Sequence, residues 1–551
     1  MRRSTYMLLA ATAALVASLV FGGAATAKPG RQSAGTVIIG HDQEPDMLNP
    51  YLTAGNSFTT AIATNPILAG GGIFNQKAEL VPYLLDALPK IQRSNPLTIT
   101  FRYKQSAKWS DGKPVTGADF VATWRTIMNP NWDITSRQGW EDLQTVKARG
   151  KSVTMVFRKG KPYFAWDSIA ATSPVPAHTV KGQDFNKLWN DSLDISSGPF
   201  KFQSWEKGTQ VTLVRNNAFT AGQKARLERV IIRYIPSTAT MFQALSSGEI
   251  DETFPQPQLQ IASVQKDSRF VVQSGPGYAW EHMDIQLGPQ GHPALKKKYV
   301  RQALITGINR AQIRQALYIT PGLVKSAKDL PVLQSHIFMP FERYYEKNFG
   351  RYRFSQRAVI ELLKKNRCTG GPSTPSAGNN AIWSCPEVGK LSFRFTTTSG
   401  NQLRALTFEI AQKQLRSVGI ELLPRFGPSA QVFGQILPSG DWDIFMFTWL
   451  GSPTGSGGSF VTYGCGGDQN YQSYCNKQVS ALLSKARYTP DPKARAALLN
   501  RAERAMAEDM PSIPIFVRPL FEIFNKRIAG PILNPTQQGP TWNLETWRRV
   551  G

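Results

Sequence analysis

The stretch from residue 391 to residue 424 constrains the fold most, because it has the pattern of a strand, a helix and a second strand. LSFRFTT (391–397) and IELLP (420–424) are short apolar and β-branched runs, which are typical of buried strands. Between them, apolar residues recur at helical spacing, and Gly419 stands where a helix commonly ends. Two strands joined by one helix form a parallel pair with a right-handed crossover. The sequence therefore predicts an α/β fold.

The same patterns predict further elements along the chain. Strands are expected at 36–40, 97–104, 153–157, 211–215, 229–235 and 441–449. One core-facing helix is expected from about residue 296 through Ile308 and beyond, and another around residues 479–486. A last helix begins at Asp491-Pro492, because proline is favoured in the first helical turn.

The segment KWSDGKPVTGADF (108–120) encodes a turn followed by a helix start. Asp111-Gly112 favours a turn, since glycine adopts positive φ without strain. Thr116 is a good N-cap, and Asp119 three residues later completes a capping box. We expect these residues to fix a corner of the fold rather than to contact a ligand.

Residues 1–27 have the pattern of an export signal. Arg2 and Arg3 precede a long apolar stretch, and Ala25-Thr26-Ala27 offers a small-x-small cleavage site. We expect a Sec-type signal that is cleaved after Ala27, with a retained membrane anchor as the alternative. No cysteine lies near this site, so no lipid attachment is expected. The expected location is the periplasm or the cell envelope.

The four cysteines suit an oxidising compartment of this kind. They allow three pairings, and their short spacing favours Cys368–Cys385 and Cys465–Cys475. A zinc site is the alternative, but neither a C-x-x-C motif nor a nearby histidine accompanies them. We therefore expect two structural disulfides, no metal and no cofactor.

No catalytic or nucleic-acid-binding motif emerges from the sequence. The net charge of +26 is dispersed along the chain, which favours a solvated basic surface over a nucleic-acid site. The H-E-x-x-H, G-x-S-x-G and P-loop patterns are absent. Ser263 and Lys266 match S-x-x-K, but the companion motifs of that enzyme class are missing. These observations favour a binding protein over an enzyme.

One group of motifs runs in order from about residue 40 to residue 520. KWSDGKPVTGADF is similar to the signature W-S-D-G-x-P-x-T-A-x-D, with Gly117 in place of Ala. Together these motifs resemble the family 5 extracellular solute-binding proteins of ABC importers, which include oligopeptide-, dipeptide- and nickel-binding members. The other matching segments are EPDMLNP (44–50), LVPYLLDAL (80–88), SGPFKF (197–202), ATMFQALSSGEID (239–251) and VRQALITGINR (300–310).

This resemblance implies a periplasmic-binding-protein-like (class II) α/β fold, with two lobes joined by a hinge and an extra inserted domain. It also implies a monomeric, non-enzymatic receptor that captures a solute between the lobes and delivers it to membrane-embedded ABC permease subunits. Short peptides are the expected solute, and the ligand would favour the closed state. The implied bounds are 28–78, 195–296 and 525–551 for lobe I, 79–194 for the small domain and 297–524 for lobe II.

The predicted ligand site lies beyond the strand at 441–449. In open α/β sheets, ligands bind outside the carboxyl ends of strands, and the Gly/Ser-rich segment 451–459 follows this one directly. Peptide-binding members of the family often carry W-x-x-D here, where the Asp pairs with the peptide's α-amino group. This chain has Ser452 at that position, and a hydroxyl cannot replace the charge. Either another acid, Asp284 or Glu281, does that work, or the ligand lacks a free amino terminus.

A few further residues are predicted to contact the ligand. Trp449 and Trp280 would stack or pack on it, with core packing as the alternative for each. Asn49 would either lie near the cleft or cap the turn within EPDMLNP. Hydrogen bonds from the loop are expected from Ser452, Thr454 and Ser456.

Two other hypotheses stay open from the sequence. One is an envelope sensor or chaperone that uses the basic surface to hold a partner. The other is a secreted hydrolase in which Ser263 and Lys266 form the nucleophilic pair. Neither involves nucleic acid.

Overall fold

The computed structural model describes residues 35–451, 453 and 459–550 of the chain. Its strands are β1 (Thr36–His41), β2 (Gly72–Phe74), β3 (Leu80–Pro82), β4 (Lys90–Ser94), β5 (Leu97–Arg102), β6 (Leu143–Arg149), β7 (Ser152–Phe157), β8 (Phe200–Glu206), β9 (Gln210–Arg215), β10 (Arg229–Tyr234), β11 (Glu252–Thr253), β12 (Phe270–Ile285), β13 (Ser384–Cys385), β14 (Gly389–Lys390), β15 (Ser392–Thr398), β16 (Glu421–Gly427), β17 (Ile444–Leu450), β18 (Ser512–Asn525), β19 (Ile528–Ala529) and β20 (Arg548–Arg549). Its α-helices are α1 (Phe58–Thr64), α2 (Gly117–Met128), α3 (Trp166–Ala171), α4 (Ala177–Val180), α5 (Thr238–Ser247), α6 (Ile261–Val264), α7 (Lys298–Gly307), α8 (Arg310–Arg314), α9 (Gln356–Lys365), α10 (Gln402–Arg416), α11 (Ser429–Gln431), α12 (Leu437–Ser439), α13 (Ser459–Tyr463), α14 (Lys477–Arg487) and α15 (Pro492–Asp509).

Ten of the described strands form one mixed sheet, in the order β16-β15-β17-β12-β18-β11-β1-β10-β9-β8. Two long antiparallel strands, β12 and β18, stand at its centre. On one side, β17 pairs with β12 only from Ala279 to Ile285. On the other side, β11 pairs with β18 only at Ile523 and Phe524. The two halves of the sheet are therefore attached to opposite ends of the β12–β18 ribbon.

The ribbon changes register between these two attachment points. Pro276 pairs with Pro519 and Trp280 pairs with Val517, so the three residues 277–279 of β12 face a single residue, Arg518, of β18. Such an irregularity bends and twists a strand pair locally. It marks the junction of the two halves as the place where the sheet changes direction.

The predicted strand–helix–strand unit is confirmed. β15 and β16 pair in parallel from Ser392 opposite Glu421, and α10 connects them. Gly419 adopts a φ of +83°, the left-handed conformation that favours glycine after a helix. The buried stripe of α10 includes Phe408 and Ala411, whereas Leu406 and Ile410 are only partly buried.

One predicted helix proves to be divided. The segment from residue 296 was expected to run as a single helix through Ile308, but α7 ends at Gly307 and α8 begins at Arg310. The physical reason is Asn309, whose side chain accepts a hydrogen bond from the backbone N–H of Gln312 and so caps a new helix.

A second sheet of four strands, in the order β4-β5-β7-β6, falls within the region predicted as the small inserted domain. The capping box beside it is present, since the Asp119 carboxylate accepts a bond from the Thr116 N–H at 2.7 Å. The other Asp119 oxygen accepts from the Ala177 N–H at 2.8 Å. This corner therefore has a structural role, while the predicted bounds of the domain remain a prediction.

Both predicted disulfides are present, Cys368–Cys385 and Cys465–Cys475. The predicted cleavage site after Ala27 lies outside the described residues. In the described part of the chain, every helix is too short or too polar to cross a bilayer.

Candidate ligand-binding cleft

A cavity of about 450 Å³ lies between segments that belong to opposite halves of the large sheet, and we call this cavity the cleft. One wall comes from the loop after β1 and from α1, within residues 41–61. The facing wall comes from the end of β17, from Arg404 of α10 and from residues 429–437. Phe254 and Arg518 line the cleft near the centre of the sheet, and the remaining lining includes Gln469, Tyr471 and Gln537.

The wall formed by β17 is aromatic. The rings of Phe447 and Trp449 lie 5.0 Å apart, and the Trp449 ring is nearly parallel to that of Tyr471, with centroids 6.4 Å apart. Phe433 packs on Phe447 from the neighbouring helical segment. The indole N–H of Trp449 is buried and has no hydrogen-bond partner among the described residues. This wall offers flat apolar surface together with one unused donor.

The opposite wall is acidic. Asp42, Glu44 and Asp46 follow β1 and all line the cleft. One oxygen of Glu44 accepts bonds from the Trp205 indole and the Gly208 N–H, both at 2.8 Å. Asp46 is exposed on this wall, but desolvation by the surrounding protein, and then the nearby charge of Glu44, raise its pKa. An ammonium group placed beside Asp46 would relieve both effects.

A hydrogen-bond chain links the two walls behind these acids. Gln256, just after β11, donates to the Asp42 carboxylate at 2.7 Å. The same amide accepts from Asn401, the N-cap of α10, at 2.7 Å. Gln537 makes a second link, since its amide donates to the Leu450 carbonyl at 2.7 Å. The two sides of the cleft are thus held together by polar side chains.

Two arginines line the cleft, and they differ in how they are paired. Arg404 donates to Thr398 at 2.9 Å, to Thr448 at 3.0 Å and to the buried carboxylate of Glu281 at 3.2 Å. The Glu281 pKa stays low although burial opposes ionisation, because Arg404 and Arg518 stabilise the charge. No hydrogen bond or ion pair joins the guanidinium of Arg518 to any residue that the structure describes.

The structure separates the predicted ligand residues. Trp449 lines the cleft, whereas Trp280 packs into a cluster with Leu333, Met339 and other apolar residues. Asp284 is fully buried beside His282, with 3.3 Å between its carboxylate and the imidazole Nε2. Ser452, Thr454 and Ser456 lie outside the described residues.

Asn49 is fully buried and is not among the residues that line the cleft. Its amide donates to the carbonyls of Phe185 at 3.2 Å and Leu188 at 2.9 Å. Its oxygen accepts from the Tyr51 N–H at 3.1 Å. Glu281, the other acid considered for an α-amino group, is already bound to Arg404 and Thr448.

Sequence reasoning missed the acidic wall and Arg518. Glu44 and Asp46 belong to a segment that resembled a family motif, but nothing local shows that this segment faces a cleft. Arg518 sits within the apolar run IPIFVRPLFEIF, which has the pattern of a buried strand. The one sequence signal for its role was its position in that run, because an arginine in a buried strand requires a partner for its charge.

The described lining of the cleft has no nucleophile paired with a base. Ser263 and Lys266, the pair considered for a hydrolase, are exposed in and after the short helix α6. Within the described residues, no group of three or more His, Cys, Asp or Glu side chains could hold a metal ion. The arrangement favours reversible binding of a ligand that carries both polar and apolar groups.

A family model for bacterial extracellular solute-binding proteins, family 5 Middle, matches residues 79–471. The chain belongs to this family. It is therefore a solute-binding component of the ABC transport type rather than an enzyme. The oligopeptide-binding protein OppA of Bacillus subtilis is 22% identical to it over 467 residues, which cover 80% of each chain.

Solved structures show the same two-lobed fold. AppA of Bacillus subtilis, an oligopeptide-binding protein in complex with a nonapeptide, has a TM-score of 0.81 and 20% identity. That comparison covers 94% of this chain and 99% of the other. NikZ of Campylobacter jejuni, in complex with Ni(L-His), has a TM-score of 0.80 and 22% identity, and covers 94% and 100%. The predicted family and fold class are confirmed.

Proposed function

We propose that this solute-binding protein captures short peptides in its cleft and delivers them to a membrane permease. The observation that carries the proposal is the composition of the cleft, which has acids on one wall, aromatic rings on the other and arginines near the centre. A peptide supplies the complementary groups: an ammonium, a backbone with apolar side chains, and a carboxylate. Relatives named as oligopeptide-binding proteins support the same ligand class.

Asp46 is our candidate for binding the peptide's α-amino group. Its carboxylate accepts no hydrogen bond within the described residues, whereas those of Asp42 and Glu44 are already engaged. In this proposal Asp46 supplies the charge that the sequence lacks at position 452. A charge-assisted bond is about twice as strong as a neutral one.

Native mass spectrometry of the purified protein, followed by denaturation, tests the proposal. We expect a co-purified mixture of short peptides, and we expect peptides to bind in calorimetric titrations. Asp46→Asn should weaken the binding of a peptide with a free amino end and leave its N-acetylated form unaffected. A protein that releases only a non-peptide solute, and binds no peptide, would refute the proposed ligand class.

We also propose that the protein is exported and that cleavage after Ala27 leaves a monomer that begins at Lys28. The family is extracellular, which supports export. The intact mass of the protein from its native host identifies the first residue. Light scattering after gel filtration gives the oligomeric state, and a dimer would contradict the second part.

A further inference from the structure

Arg518 occupies a special position in the molecule. It lies on β18 where the register of the central ribbon changes, opposite residues 277–279 of β12. It is also among the residues that line the cleft. Only 7% of its surface is exposed, so its charged group is withdrawn from bulk water.

The guanidinium of Arg518 has no direct partner in the described chain. Its Nε–H is buried and unbonded, and neither a hydrogen bond nor an ion pair joins its other nitrogens to a described residue. Arg404, in the same cleft, shows the normal arrangement, with bonds to Thr398, Thr448 and Glu281. A buried cation without a counter-ion is costly, and such groups are ordinarily paired.

The nearest carboxylates do not fill this role. Glu281 and Asp42 act on the charge of Arg518 through space, but Glu281 is bound to Arg404 and Asp42 is bound to Gln256. Burial lowers the pKa of Arg518, and the charge of Glu281 opposes that shift. Arginine nevertheless remains protonated in proteins. The cleft therefore holds a permanent cation whose donors no described residue occupies.

We infer that Arg518 binds a carboxylate of the ligand and so makes the cleft selective for anionic ligands. The guanidinium presents its donors as a planar fork that matches the two oxygens of a carboxylate. The carboxylate could be a peptide's C-terminus or an acidic side chain, which share this chemistry. The inference rests on the proposed role of the cleft in peptide binding.

Matched acid and neutral probes test the inference. Calorimetry would compare the peptide Ala-Phe-Ala as a free acid and as a C-terminal amide, which reports on the terminus. The amides of Ala-Glu-Ala and Ala-Gln-Ala report on the side chain. Benzoate and benzamide, followed by thermal shift at constant ionic strength, test the anion site without any peptide.

The variants are Arg518→Gln, Arg518→Lys and the control Arg357→Gln, which changes an exposed arginine that is not part of the cleft lining. We expect the wild type and the control to prefer at least one carboxylate over its neutral partner by about 10- to 100-fold. Arg518→Gln should lose that preference and bind the neutral form as before. Arg518→Lys should keep part of it. Circular dichroism and the melting temperature show whether each variant is folded.

The outcomes show whether Arg518 binds a carboxylate of the ligand. Equal binding of acid and neutral forms by the wild type, for the peptides and for benzoate, would overturn the inference. An undiminished preference in folded Arg518→Gln would overturn it as well. If benzoate alone shows the Arg518-dependent preference and no peptide binds, the anion site stands and the proposed peptide ligand fails.

Discussion

At the scale of single residues, Trp449 is the side chain whose role is easiest to isolate. Its ring is nearly parallel to the rings of His282 and Tyr471, with centroids 6.3 and 6.4 Å away, and it lines the cleft. Trp449→Ala removes a flat apolar surface, and we expect peptide affinity to fall about tenfold or more. Trp280→Ala is the matched control, because Trp280 is half-buried outside the cleft lining. Trp280→Ala should lower the melting temperature and leave the affinity for peptide unchanged. Thermal melts and calorimetry on both variants check this.

Single residues also show what could not be predicted from the sequence. An alternation pattern assigns side chains to the two faces of a strand, but β12 shifts register twice, after Pro276 and after Glu281. The second shift, between Glu281 and His282, changes the alternation relative to β18 by one residue, so the burial of Asp284 could not be read from its spacing to Trp280. Arg518 and Asp46 are far apart in the chain and line the same cleft only in the folded molecule.

At the scale of elements, the sequence predicted several helix starts and ends correctly. Capping by Thr116 and Asp119, the proline start of α15 and the glycine after α10 were all readable, because each depends on neighbours in sequence. The break before α8 was not predicted, since helical periodicity continues across Ile308 and the side chain of Asn309 decides the outcome.

The Cys465–Cys475 disulfide closes a loop that carries two cleft residues, Gln469 and Tyr471. Replacing both cysteines by serine should lower stability by about 2–4 kcal/mol and should also weaken peptide binding, because Tyr471 would lose its fixed position. The matched control replaces Cys368 and Cys385, whose disulfide closes a loop away from the cleft lining. Thermal melts and calorimetry on both double variants separate the two effects. Equal affinities would contradict the prediction.

The adjacent strands β11 and β18 carry a buried pair of acids, Glu252 and Glu522. Their carboxyl oxygens are buried and have no hydrogen-bond partner among the described residues. Burial raises the pKa of Glu522 to about 8 and also raises that of Glu252 well above its usual value, with the charge of Glu522 as a second cause for Glu252. Unfolded glutamates are ionised above about pH 4.3, so the folded state binds more protons up to its raised pKa. Stability should therefore fall as pH rises through about 8.

Melting temperatures between about pH 7.5 and pH 9 test this, because histidines of the unfolded chain, with a pKa of about 6.5, are almost fully neutral in that window. We expect the melting temperature of the wild type to fall by a few degrees across this window, and that of Glu522→Gln to fall by less. Some slope should remain, since burial also raises the pKa of Glu503 to about 7. Glu508→Gln, an exposed change on α15, should behave as the wild type. Equal slopes in Glu522→Gln and the wild type would exclude the pair as the cause.

At the scale of the whole molecule, the arrangement of the sheet predicts a change of shape on binding. The halves of the sheet are attached to opposite ends of the β12–β18 ribbon, and the cleft lies between segments of both. A ligand that touches Asp46 on one wall and Trp449 on the other binds better when the walls are close. It can shift the open–closed equilibrium only by that difference in affinity. A shift from 1:99 to 99:1 requires the ligand to bind the closed state about 10⁴-fold more tightly than the open state.

Small-angle X-ray scattering measures this shift directly. We expect the radius of gyration of the wild type to decrease at saturating peptide, and hydrogen exchange to slow around residues 276–280 and Arg518, where the register changes. Trp449→Ala at the same peptide concentration is the control, because a partly empty cleft should leave a mixture of open and closed molecules. An unchanged radius in the saturated wild type would mean that the central ribbon is rigid. Ligand delivery would then depend on the loops at the cleft rather than on movement of the lobes.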